Sequence, residues 1–103
     1  MNIRLATLND QELLLNLMRE SFEQEAEGTH EEWVKTETAI KVLLNDPQAG
    51  EAYLAYGQQG ILLGYIIMCR GFSLDYGGYF TWVEETYMRQ ADQGRFRDQR
   101  FSP

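Results

Sequence analysis

A chain of 103 residues makes one domain at the short end of what buries a proper core, and 44% hydrophobic with 13% aromatic residues excludes a disordered chain. A net charge of −7 excludes the basic stripe that nucleic-acid binding needs, while an acidic surface suits cationic small molecules or simply solubility. The lone Cys69 cannot form an intramolecular disulfide, no charged and apolar leader opens the sequence, and the longest apolar run, Ile61–Cys69, is too short to cross a bilayer. No membrane partner is expected, and a reducing cytoplasm is the natural home.

The first element expected is a short strand, Asn2–Ala6, with Ile3 and Leu5 on one face. Thr7 and Asp10 then have capping-box spacing, in which each side chain answers the other's exposed backbone amide at a helix start. Leu13, Leu14, Leu17, Met18 and Phe22 recur at helical spacing and predict an apolar stripe, with Glu12, Asn16, Arg19 and Glu20 opposite. This helix fades through Glu23–Glu27 and ends near Gly28.

Thr29 and Glu32 repeat the capping spacing and open a second helix, whose apolar side is Trp33, Ile40, Leu43 and Leu44. Asn45-Asp46-Pro47 stops it, because the residue before a proline is pushed out of helical geometry. His30, the single histidine, has no cysteine or acidic cluster at ligand spacing, so no metal site is expected. No serine sits in a nucleophile elbow.

After Gly50 the period changes to strand. Glu51–Tyr56, the turn Gly57-Gln58-Gln59-Gly60 and the apolar run Ile61–Arg70 read as a hairpin. The run is almost continuously apolar, as for a central strand covered on both faces. Gly71–Gly77 reads as a loop and Tyr79–Met88 as a fourth strand. The class is α/β (α+β), ordered β-α-α-β-β-β, with a mostly antiparallel four-stranded sheet and two helices.

Chemistry concentrates in Trp82-Val83-Glu84-Glu85-Thr86-Tyr87-Met88. Strand alternation sends the two carboxylates to opposite faces, so one can meet solvent while the other meets a cleft. A carboxylate flanked by Trp82 and Tyr87 could hold an ammonium and later accept its proton. The plainer possibility is that one glutamate is solvated and the other pairs with a lysine or arginine.

Here the chain resembles a family. The opening NIRLATLND, the helix–helix–hairpin succession and VEETYMRQADQG at Val83–Gly94 are similar to the N-terminal half to two-thirds of the GNAT acetyltransferases, which move an acetyl group from acetyl-CoA to an amine. The resemblance implies an incomplete GNAT-like domain over residues 1–94. It makes Glu84 or Glu85 the amine ligand or general base. Backbone groups near Met88 and Arg89 would hold the pantetheine arm, and Gln93 and Gly94 would begin the pyrophosphate loop. It also places an acceptor wall in Glu23–Trp33, so that Glu27, Trp33 and Trp82 are expected to meet a small primary amine.

The departure from the family comes next. Its loop runs Gln/Arg-x-x-Gly-x-Gly/Ala, where glycines let backbone amides at a helix N-terminus approach the pyrophosphate. Phe96 and Asp98 stand where small residues are required; a phenyl ring obstructs that approach and an aspartate repels phosphate. The following helix, the fifth strand and the family's frequent general-acid tyrosine have no counterpart in the sequence. Residues 95–103, RFRDQRFSP, form an irregular tail with four charges and no helical stripe. Advanced by one nucleotide at Arg95, permitted codons reread Arg-Phe-Arg-Asp-Gln-Arg as Gly-Phe-Gly-Thr-Lys-Gly, a family-like loop, so an out-of-frame tail is one reading.

Three functional expectations result: an N-acetyltransferase by resemblance that binds acetyl-CoA poorly and is inactive alone; a non-catalytic fragment that self-associates or binds another chain; and complementation by a chain supplying the missing half. An exposed fourth strand would leave open backbone groups and an apolar patch, which predicts a homodimer through that strand.

Overall fold

The computed structural model describes residues 1–25 and 27–89. Its elements are β1 (Asn2–Leu5), α1 (Gln11–Glu23), α2 (His30–Asn45), β2 (Gly50–Tyr56), β3 (Leu62–Ser73) and β4 (Gly78–Met88). The strands lie in the order β1-β2-β3-β4, and every neighbouring pair is antiparallel. This is the expected β-α-α-β-β-β arrangement. The tail at 95–103 and the boundary at 94 lie outside the described residues.

Both capping signals act, in different ways. Thr7 caps the Asn9 amide, and the Asp10 carboxylate accepts from the Thr7 amide at 2.8 Å, completing the box over a single 3-10 turn before α1. Thr29 caps the Glu32 amide at 3.1 Å, but the Glu32 carboxylate accepts from the Thr29 hydroxyl and not from its backbone. Each arrangement satisfies donors that a helix start leaves without partners.

The core lies between the two helices and one face of the sheet. Leu14, Leu15, Leu17 and Met18 of α1 meet Trp33, Ile40 and Leu43 of α2 above Ala52, Leu54, Tyr65 and Ile67. Leu15 takes the place expected for Leu13, which is 39% exposed against 6% for Leu15. Gly71–Ser73, expected as loop, extends β3, and the turn tightens to Leu74–Gly77.

The opposite face of the sheet carries no helix among the described residues. Ile66 and Met68 of β3 point there and line a shallow groove with Ile3, Tyr53 and Thr81. Among the described residues the apolar run is therefore covered on one face. Gly64 lets β3 and β4 approach closely: a Cβ at this position would stand 1.9 Å from the Tyr87 carbonyl oxygen.

Candidate functional site

The strand pairing of β4 is interrupted at one residue. Glu85 stands opposite Ile67 and Val83 opposite Met68, so Glu84 has no partner and forms a β-bulge. Two residues against one cancels the alternation at this point. The sequence expectation that Glu84 and Glu85 face opposite ways is overturned, because alternation assumes an unbroken ladder.

Both carboxylates lie on the helix side. Glu85 accepts from the hydroxyl of Tyr65, a core residue of β3. Glu84 accepts from Trp82 Nε1 at 2.8 Å, and its charge helps raise the Cys69 thiol, which packs against the same core. Trp82 stands opposite Cys69 and Tyr87 opposite Tyr65, so β4 presents Trp82, Glu84, Glu85 and Tyr87 on one side.

The last turns of α1 close one end of this row. The Tyr87 hydroxyl donates to Glu20 Oε2 at 2.9 Å and accepts from Gln24 Nε2 at 2.9 Å. Arg89 Nε donates to the same Glu20 oxygen at 3.2 Å. Burial, reinforced by the Glu85 carboxylate, pushes the Tyr65 phenol well above its ordinary range; burial and then Glu20 raise that of Tyr87. Both phenols therefore stay protonated at neutral pH and act as donors to carboxylates. The result is a row of carboxylates along the helix side of β4, two of them, Glu85 and Glu20, accepting from core tyrosines.

Beside it, Tyr76, Phe80 and Trp82 stack in a row with ring centroids 5.1 and 5.3 Å apart, leading away from Glu84. Gly71 lies beneath this row, where a Cβ would come within 3.0 Å of the Trp82 ring.

The expected acceptor residues separate. Trp82 is 39% exposed and joins this row through Glu84. Trp33 is a core residue instead, 8% exposed, its ring 5.5 Å from Phe22 and under the Arg19 guanidinium at 5.0 Å. Glu27 sits exposed in the turn between α1 and α2. No hydrogen bond, ion pair or ring contact among the described residues ties either of them to β4.

Sequence reading missed Glu20, Gln24 and Tyr65. Glu20 and Gln24 are one helical turn apart, which is a signal, but nothing local says that β4 faces them. Tyr65 hid inside an apolar run.

Of the residues expected to hold acetyl-CoA, Met88 and Arg89 are described and Gln93 and Gly94 lie outside the described residues. Met88 pairs with Gly64 in the ladder. The Arg89 amide donates to the Leu63 carbonyl at 2.9 Å, and its guanidinium holds Glu20 and the Leu62 carbonyl. The pyrophosphate expectation falls on Gln93 and Gly94, outside the described residues.

No protein-family profile and no curated protein matches the chain. Solved structures do. An integron cassette protein from the mobile metagenome of Cole Harbour Salt Marsh is 30% identical, with a TM-score of 0.74 over 90% of this chain and 59% of its own. The ribosomal-protein-alanine N-acetyltransferase of Brucella melitensis biovar Abortus 2308 is 23% identical, with a TM-score of 0.65 over 92% and 62%. A possible acetyltransferase of Clostridium difficile 630 is 20% identical, with a TM-score of 0.71 over 95% and 64%. The chain thus spans about three-fifths of the length of these structures. The GNAT resemblance holds at the level of fold: two helices on a four-stranded antiparallel sheet, matching part of the acetyltransferase fold.

Proposed function

We propose that this chain carries the acceptor side of an acetyl-CoA-dependent N-acetyltransferase, built on Glu84 and Glu85, and that it does not transfer acetyl groups by itself. The observation supporting the acceptor reading is the bulge, which sets two adjacent carboxylates on one side of the sheet beside Trp82 and Tyr65. A primary amine arrives as an ammonium. Paired carboxylates attract it, the indole face favours it, and a carboxylate can take the proton that must leave before the nitrogen attacks. Tyr65, held protonated, keeps Glu85 in the acceptor role.

The inactivity rests on the sequence, which places Phe96 and Asp98 where the family needs small residues. Stabilising a transition state needs preorganised groups around both substrates. Calorimetric titration with acetyl-CoA tests this. No binding in the low micromolar range is expected, and a low-micromolar Kd overturns the inactivity. In a gene reread in the shifted frame after Gly94, acetyl-CoA binding is expected to return. There Glu84→Gln or Glu85→Gln should lower turnover by about 100-fold with little change in cofactor affinity. Unchanged turnover in both variants removes the assignment of these acids.

A non-catalytic, self-associating chain is the second reading. It is favoured by a different feature, the helix-free face of the sheet.

A further inference from the structure

We infer that two copies of this chain pair through the helix-free face of the sheet, face to face and not edge to edge. The face is apolar and exposed. Ile3 and Leu5 of β1, Phe72 of β3, and Tyr79 and Val83 of β4 are 50–67% exposed. Their positions in the register put them on the same side as Ile66 and Met68. Phe72 and Tyr79 already form an edge-on ring contact at 5.2 Å, which stiffens that end of the face.

The area is of the right size. Five large side chains at half exposure or more present roughly 500–600 Å². That equals the largest apolar patch usual on a monomer, about 300–600 Å², before Ile66, Met68, Tyr53 and Thr81 are added. With them the face approaches the ~800 Å² that each partner contributes to a standard interface.

Charge selects the occupant. Each copy carries a net −7, so two copies repel wherever acids meet. On this face the charged residues are Glu51 and Arg70, ion-paired at 2.9 Å, with Tyr53 donating its hydroxyl to Glu51. The face is therefore neutral. A second copy can settle on it without setting like charges together, and the ion pair supplies polar groups that a two-fold axis makes self-complementary. The helix side of β4, by contrast, carries Glu84 and Glu85. The outer edge of β4 is blunted by the bulge and by those two acids, the devices by which sheet edges resist pairing.

Sedimentation velocity of the 103-residue chain at micromolar concentration tests the pairing. A dimer is expected, and its Kd should fall as salt rises, because screening relieves the net repulsion while the apolar contact is unaffected. Val83→Glu and Ile3→Glu, on two different strands and at exposed positions, should each weaken the dimer by about tenfold or more. Circular dichroism and melting should report an intact fold in both variants. Glu84→Gln should leave the dimer unchanged. A monomer overturns the inference, as when other residues of the chain cover the face. So does a dimer that both apolar-face variants leave intact, or one that rising salt dissociates.

Discussion

The Tyr87 hydroxyl reaches Glu20 across 67 residues of sequence, donating to Oε2 at 2.9 Å, and so locks the end of β4 to the last turns of α1. Arg89 shares that oxygen and Gln24 donates to the phenol from one helical turn further on, making the contact a small network. It fixes the spacing between the acidic helix end and the row of Glu84 and Glu85.

Removing the phenol tests how much this lock contributes. Tyr87→Phe keeps the ring against Tyr65, at 5.9 Å between centroids, and deletes only the hydroxyl. Glu20 stays partly solvated and paired with Arg89, so the loss falls near the low end for a hydrogen bond to a charge, about 1–1.5 kcal/mol. For a domain of this size that lowers Tm by roughly 4–8 °C. Tyr76→Phe, at a ring 77% exposed in the turn before β4, serves as the comparison and should leave Tm nearly unchanged. Equal Tm values for the two variants would show that the network contributes nothing.

The N-terminal junction has a pH signature. Arg4 grips Asp10 with both terminal nitrogens, at 2.9 and 2.8 Å, and the Thr7 amide adds a third bond to the same carboxylate. Arg4, and then Thr7, hold the Asp10 carboxyl well below the usual range. A depressed acid contributes stability above its unfolded pKa, about 3.9, and loses it as pH falls toward the folded value. Urea midpoints should therefore separate the parent from Asp10→Asn most clearly near neutral pH. The gap should narrow as pH drops below about 4. A gap that stays constant with pH would assign the effect to the lost cap alone.

Much of this fold is written locally. Thr7 with Asp10 and Thr29 with Glu32 mark both helix starts, Asp46-Pro47 marks an end, and the hairpin between β2 and β3 follows from its glycine-bounded turn. What was not legible depends on register. Leu13 and Leu15 flank the buried stripe on either side, and packing against α2 and the sheet, not spacing, decides that Leu15 is the one covered. The partnership of Tyr65 with Glu85, and of Tyr87 with Glu20, requires knowing which residues of separate elements lie opposite one another. Trp33 is expected both on the apolar side of α2, by spacing, and in an acceptor wall, by family resemblance; Phe22 and Arg19 enclose it, as the spacing implies. The bulge at Glu84 left no mark in the sequence, since two adjacent glutamates in an unbroken strand would read identically.

That bulge can be checked through Cys69. Burial first, and the Glu84 charge second, raise the Cys69 thiol above its ordinary pKa. Alkylation proceeds through the thiolate, so the folded chain should react more slowly than the unfolded one. A neutral alkylating reagent is the proper probe, because a charged one would itself respond to nearby acids. Glu84→Gln removes a negative charge that helps raise the thiol and should speed the reaction. Glu85→Gln, whose carboxylate is turned to Tyr65, should change the rate less. If the strand alternated regularly with Glu85 kept opposite Ile67, Glu84 would turn to the face of Met68, and Glu85 would share the face of Cys69. The Cys69 rate would then respond to Glu85→Gln and be indifferent to Glu84→Gln. That ordering of rates would remove the bulge, and with it the reason for treating the two acids as one site.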